Sequence, residues 1–139
     1  MAVIGLLAAC GGAPAAKPLG GAGIAASLQA SGLPVSDVVV HTAESDPNKL
    51  LGRPNQYTIK VNWTDTRVTQ GDSDATIEVF ADEAGMKQRA AYVEAIGKNA
   101  PMFVQYIYTS AKHTAVLRVP RALTPDQAKE YEEWLSKLS

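Results

Sequence analysis

Tyr57-Thr58-Ile59-Lys60-Val61-Asn62-Trp63-Thr64 alternates strictly between apolar and polar side chains. Successive strand residues point to opposite faces, so Tyr57, Ile59, Val61 and Trp63 are expected on one side and Thr58, Lys60, Asn62 and Thr64 on the other. That pattern describes a half-buried strand of an antiparallel sheet. Asp65 to Asp74 is polar and carries Gly71-Asp72, which reads as a hairpin connection, and Ala75 to Phe80 reads as the returning strand.

Asp82 to Gly97 has helical spacing, with Met86, Ala90, Val93 and Ile96 as the apolar stripe and Glu83, Lys87 and Glu94 outside. Asp82 is placed to cap it and Gly97 to end it. Met102 to Tyr108 and Thr114 to Val119 form a second expected hairpin. Thr124-Pro125-Asp126-Gln127 then sets a Thr N-cap before Pro at the first helical position and Gln at the third, a capping box. Ala128, Tyr131, Leu135 and Leu138 follow as a docking stripe. Upstream, Ile24 to Leu33 reads as a helix stopped by Gly32 and Pro34, and Val35 to Thr42 as a strand. The order α-β-β-β-α-β-β-α predicts the α+β class. The expected architecture is a two-layer sandwich, with a mainly antiparallel sheet of about four to five strands and helices packed on one face.

The chain has 139 residues, 13 basic and 14 acidic, for a net charge of −1. That balance lacks the clustered Lys and Arg excess of a nucleic-acid footprint, so no nucleic-acid partner is expected. The single cysteine, Cys10, cannot form an internal disulfide. It closes the run Leu6-Leu7-Ala8-Ala9-Cys10. Ala2 to Ala9 is apolar or Gly throughout, and too short for a membrane span, which needs about 20 residues. It suits the apolar region of a signal peptide followed by small residues at a cleavage site. Leu7, Ala8, Ala9 and Cys10 resemble the bacterial lipobox. The resemblance implies cleavage before Cys10 and lipid on its sulfur. No Lys or Arg precedes Lys17, so the positive segment of a signal peptide is expected upstream of Met1. Residues 1–9 are thus expected as signal peptide, 10–23 as lipidated cysteine and tether, and 24–139 as one domain. Gly11 to Gly23, rich in Gly, Ala and Pro, would reach about 40 Å at ~3.3 Å per residue.

No catalytic signature stands out. His41 and His113 are far apart in sequence, so neither a metal site nor a cofactor is expected. No Gly-x-Ser-x-Gly turn is present, and Gly20-Gly21-Ala22-Gly23 follows no strand, so it reads as linker rather than phosphate loop. Asp65, Asp72 and Asp74 flank one connection, but positions six and twelve from Asp65 are Gln70 and Thr76, unlike a calcium loop. The candidate binding segment is Asp46-Pro47-Asn48-Lys49-Leu50-Leu51-Gly52-Arg53-Pro54-Asn55-Gln56-Tyr57. Asp46, Lys49, Arg53, Gln56 and Tyr57 surround two prolines and a glycine in a shaped loop. The alternative is a structural crossover pinned by Leu50 and Leu51, with Asp46 and Arg53 paired locally. Tyr106 and Tyr108 share a strand face, which suits packing against a helix.

Asp46 through Pro54, Tyr57-Thr58, Lys60-Val61, Glu78-Val79-Phe80 and Leu123 through Ala128 together resemble a group of small uncharacterised lipoproteins. These belong to Gram-positive bacteria, notably actinobacteria, and to their phages and prophages. The resemblance implies a membrane partner through lipid on Cys10, and it carries no catalytic residues. The expected function is a binding module at the extracytoplasmic face of the cell membrane, facing a protein partner of the envelope. Superinfection exclusion is its expected role if the gene is phage-borne. The alternative is a small envelope hydrolase without a recognisable motif.

Overall fold

A computed structural model describes residues 19–139. The expected signal peptide, Cys10 and the first part of the expected tether lie outside the described residues. The elements are α1 (Gly21–Ala30), β1 (Val35–Val40), β2 (Ile59–Asp65), β3 (Asp74–Val79), α2 (Glu83–Asn99), β4 (Gln105–Ser110), β5 (Ala115–Pro120) and α3 (Pro125–Lys137). A short 3₁₀ turn, Pro101–Phe103, precedes β4, so the second hairpin starts three residues later than expected at Met102.

The five strands form one antiparallel sheet in the order β1-β2-β3-β5-β4. This is the expected α+β class. Register explains the main core. Val61 faces Ile77, Trp63 faces Ala75, and Ile77 in turn faces Leu117. These residues share one side of the sheet because their spacing is two. Ile24 and Leu28 of α1 and Ala128, Tyr131, Trp134 and Leu135 of α3 cover that side. The rings of Trp63, Tyr131 and Trp134 pack with centroids 5.8 and 5.9 Å from Trp63. The capping box of α3 forms as expected, with the Gln127 N–H donating to Thr124 Oγ1 at 3.2 Å and the Thr124 N–H donating to Gln127 Oε1 at 2.9 Å.

The other side of the sheet is covered too, which differs from the expectation that helices share one face. Met86 and Ala90 of α2 pack with Tyr57, Phe80 and Val116, joined by half-buried Leu50, Leu51 and Ile107. Helices α2 and α3, each following a hairpin, therefore end on opposite faces. Tyr57 belongs to this second cluster and not to the Ile59-Val61-Trp63 face, because it precedes β2 and its hydroxyl is drawn to Asp46. Three boundaries also shift. Helix α1 begins at Gly21 rather than Ile24, which takes Gly21 to Gly23 out of the expected tether. Strand β1 ends at Val40. Helix α2 runs past Gly97 to Asn99, with Pro101 just beyond its cap.

Candidate functional site

The β1–β2 connection is organised by one buried carboxylate. Asp46 lies at the base of the loop with no solvent exposure. Its Oδ1 accepts from the Asn48 N–H at 3.1 Å and from Lys60 Nζ at 2.9 Å. Its Oδ2 accepts from the Leu50 and Leu51 N–H groups at 2.9 and 3.0 Å, and from the Tyr57 hydroxyl at 2.7 Å. Burial alone would raise the Asp46 pKa, but the bonds from Lys60, Tyr57 and the two main-chain N–H groups outweigh it and hold the carboxyl far below its ordinary range. Burial, followed by the bond to Asp46, pushes the Tyr57 phenol well up. The chain turns around this post through left-handed backbone at Lys49, Gly52 and Asn55.

A second buried carboxylate stands in the middle of the sheet. Glu78 of β3 accepts from Arg89 Nε of α2 at 2.9 Å and Arg89 Nη2 at 3.0 Å, and from Arg118 Nη2 of β5 at 2.9 Å. Arginine's planar fork makes such a two-point pairing favourable. The Glu78 pair ties helix to sheet just as the Asp46 pair ties loop to sheet. Both lie on the α2 side.

Between the loop and α2 runs an open groove of about 530 Å³. Lys60, Asn62, Thr76 and Arg118 form its floor, crossing β2, β3 and β5. Asn48 stands on the loop wall, and Tyr92 and Val93 on the helix wall. Phe103, Gln105, Asp72 and Asp74 complete its lining. Asn62 Nδ2 donates to Thr76 Oγ1 at 2.9 Å. Among the described residues, the buried Asn62 Oδ1 and Arg118 Nε have no hydrogen-bond partner. A smaller hollow of about 210 Å³ continues past Leu50 toward Gln56 and Gln88.

The sequence-predicted loop residues divide accordingly. Asp46 and Tyr57 come together, but buried, as supports of the loop rather than as a contact surface. Asp46 pairs with Lys60, not with Arg53. Lys49 turns outward and its Nζ donates to the Glu44 carbonyl. Exposed Arg53 and half-buried Gln56 line a further hollow of about 240 Å³ beside Phe80 and Asp82, which adjoins the one past Leu50 through Asn55 and Gln56. Asp65 parts company with Asp72 and Asp74. It is buried on the α3 side, accepting from Arg67 and from the Tyr131 hydroxyl at 2.7 Å.

The groove floor comes from residues that alternation assigns to a solvent face. Lys60 and Glu78 are directly opposed across β2 and β3, and Thr76 opposes Arg118 across β3 and β5. The available signal was Glu78 between Ile77 and Val79 in β3 together with Arg89 beside Ala90 in α2. No family model, no curated protein and no solved structure matches the chain.

Proposed function

We propose that this chain is a binding domain, held at the extracytoplasmic face of a membrane by lipid on Cys10, with the groove between the loop and α2 as its recognition surface. The observation that carries the binding reading is the state of the groove's charges. Asp46 is committed to Lys60 and Glu78 to Arg89 and Arg118 at hydrogen-bond distance. Groups locked in this way hold a shape and present fixed donors, which suits recognition. The membrane address is supported by the Leu7-Ala8-Ala9-Cys10 run. If the gene is phage-borne, the same address suits exclusion of a second phage at the stage of DNA injection, and unchanged injection in cells producing the protein would sink that role.

Cells producing the full chain supply the test. The wild type is expected in the membrane fraction and Cys10→Ser in the soluble fraction; equal distribution of the two would overturn the lipid anchor. A photoreactive residue in place of the exposed Tyr92 is expected to form an adduct with an envelope component in the anchored protein. No adduct from the anchored protein would overturn the binding reading.

A further inference from the structure

The geometry points to a neutral oligosaccharide as the occupant of the groove, a glycan segment laid across β2, β3 and β5 with its sugar rings against Tyr92 and Phe103. This deepens the binding reading and rests on it.

Four observations converge. The floor crosses the interior of the sheet, where β2, β3 and β5 each have neighbours on both sides. The floor strands therefore offer no free edge to a peptide backbone, the edge strand β4 contributing only Gln105 to the lining, so recognition on the floor falls to side chains. The charged floor groups are already committed to buried carboxylates, Lys60 to Asp46 at 2.9 Å and Arg118, together with Arg89, to a shared Glu78 at 2.9 Å, while Asp72 and Asp74 add negative charge to the lining. A charged ligand would compete with these pairs, whereas a neutral one leaves them intact.

The neutral groups suit hydroxyls. Asn48, Asn62, Thr76 and Gln105 each carry both a donor and an acceptor, as a sugar hydroxyl does. The floor also holds one unmatched acceptor, Asn62 Oδ1, and one unmatched donor, Arg118 Nε. An unmet buried polar group is destabilising until it finds a partner. A swing of the half-buried Asn62 amide, at the expense of its Nδ2–Thr76 bond, would bring its oxygen to a hydroxyl donor in the groove; the buried Arg118 Nε reaches a hydroxyl oxygen only if its side chain also shifts. Finally, the mouth is aromatic. Tyr92 is 58% exposed and Phe103 59% exposed, and both rings line the groove. The Arg89 guanidinium lies 5.5 Å from the Tyr92 ring centroid and steadies it. The C–H face of a pyranose is apolar and flat enough to lie on such a ring, while its hydroxyls point to the polar floor.

The test uses the full ¹⁵N-labelled chain in detergent. Cellohexaose, chitohexaose and mannohexaose serve as neutral probes, with hexaglutamate, hexalysine and hexaalanine as peptide controls. At least one oligosaccharide is expected to shift the side-chain amide signals of Asn62 and Gln105 and the backbone amides of Tyr92 and Phe103. The Tyr92→Ala/Phe103→Ala double variant, altered only at exposed positions, is expected to lose about tenfold in affinity, the size of lost ring stacking. Tyr92→Trp should retain binding. Shifts at these sites from a peptide but from no sugar would overturn the glycan and leave the binding reading standing. Silence from every probe would overturn the glycan and remove the groove as the recognition surface, leaving the membrane address to the Cys10→Ser result.

Discussion

Asp46 accepts from a tyrosine hydroxyl, a lysine and main-chain N–H groups on one side of the sheet, and Asp65 accepts from a tyrosine hydroxyl and an arginine on the other. A buried carboxylate is costly to desolvate, and its partners must recover that cost. Asp46→Asn keeps the size but leaves Lys60, 3% exposed, without its counter-charge. Losses on the order of 3–5 kcal/mol follow when one member of a buried pair is removed. Urea unfolding should show a loss of that size for Asp46→Asn and a smaller one for Asp46→Asn/Lys60→Met, which removes both charges while keeping an oxygen for the loop's N–H donors. An equal loss in both would mean the pair is not the source. The acid dependence has a definite sign. Both carboxyls are held below their ordinary 3.8, against the effect of burial, by Lys60 and Tyr57 at Asp46 and by Arg67 and Tyr131 at Asp65. The unfolded chain therefore takes up protons first, so this stability is present above about pH 4 and drains away as pH falls through the folded values. The Asp46→Asn variant should show a shallower loss between pH 4 and pH 2, measured by the same unfolding series. Sequence reading marks Asp46 and Tyr57 as special but assigns them to a ligand. Their real partner, Lys60, sits on a strand where alternation alone predicts solvent.

Helix α3 carries its start signal within four residues, and this is why it was legible. Thr124→Ala removes the oxygen that accepts from the Gln127 N–H and undoes the reciprocal bond. The expected loss is about 1 kcal/mol, read as a lower urea midpoint with an unchanged slope; no shift in midpoint would show that packing alone sets the helix start. The alternating strands were legible for the same reason, since period two is a local signal. Helix α1 shows where such signals stop. Gly20, Gly21 and Gly23 read as linker because glycine resists helix formation, yet the helix starts at Gly21. Ile24 and Leu28 are fully buried against the sheet and pull the segment into register. At Gly21 a Cβ would stand 2.6 Å from Val40 Cγ1, so the residue that looks like a spacer is a close-packing contact. The face chosen by α2 was not legible either. Its apolar stripe says that it docks, and only the Glu78–Arg89 pair and the Tyr57 cluster, both long-range, say on which side.

The whole molecule is a sheet with two unlike sides. The α1–α3 side is broad and apolar, built on Trp63, Ile77, Leu117, Tyr131 and Trp134. The α2 side has a small apolar cluster beside ion pairs and an open groove. Apolar burial contributes about 25 cal/mol per Å², while a buried ion pair roughly breaks even once desolvation is counted. The two helices should therefore open at different free energies, as segments with few buried apolar contacts do. Native-state hydrogen exchange is the measurement. Amides of α2, from Met86 to Asn99, are expected to exchange through a local opening well below the global unfolding free energy. Amides of β3, β5 and α3 should exchange near the global value. Met86→Ala should speed exchange in α2 more than in α3, and Leu135→Ala should lower global stability by about 2–5 kcal/mol and speed both. Equal protection of α2 and β3 would overturn the asymmetry. The outcome bears on recognition, because α2 is the wall of the groove that carries Tyr92. A wall that opens independently of the core can close on a ligand without straining the sheet beneath it, and Asn62 and Arg118 can then exchange their unmet bonds for ligand contacts. A wall as rigid as β3 would require the groove to fit its occupant as it stands.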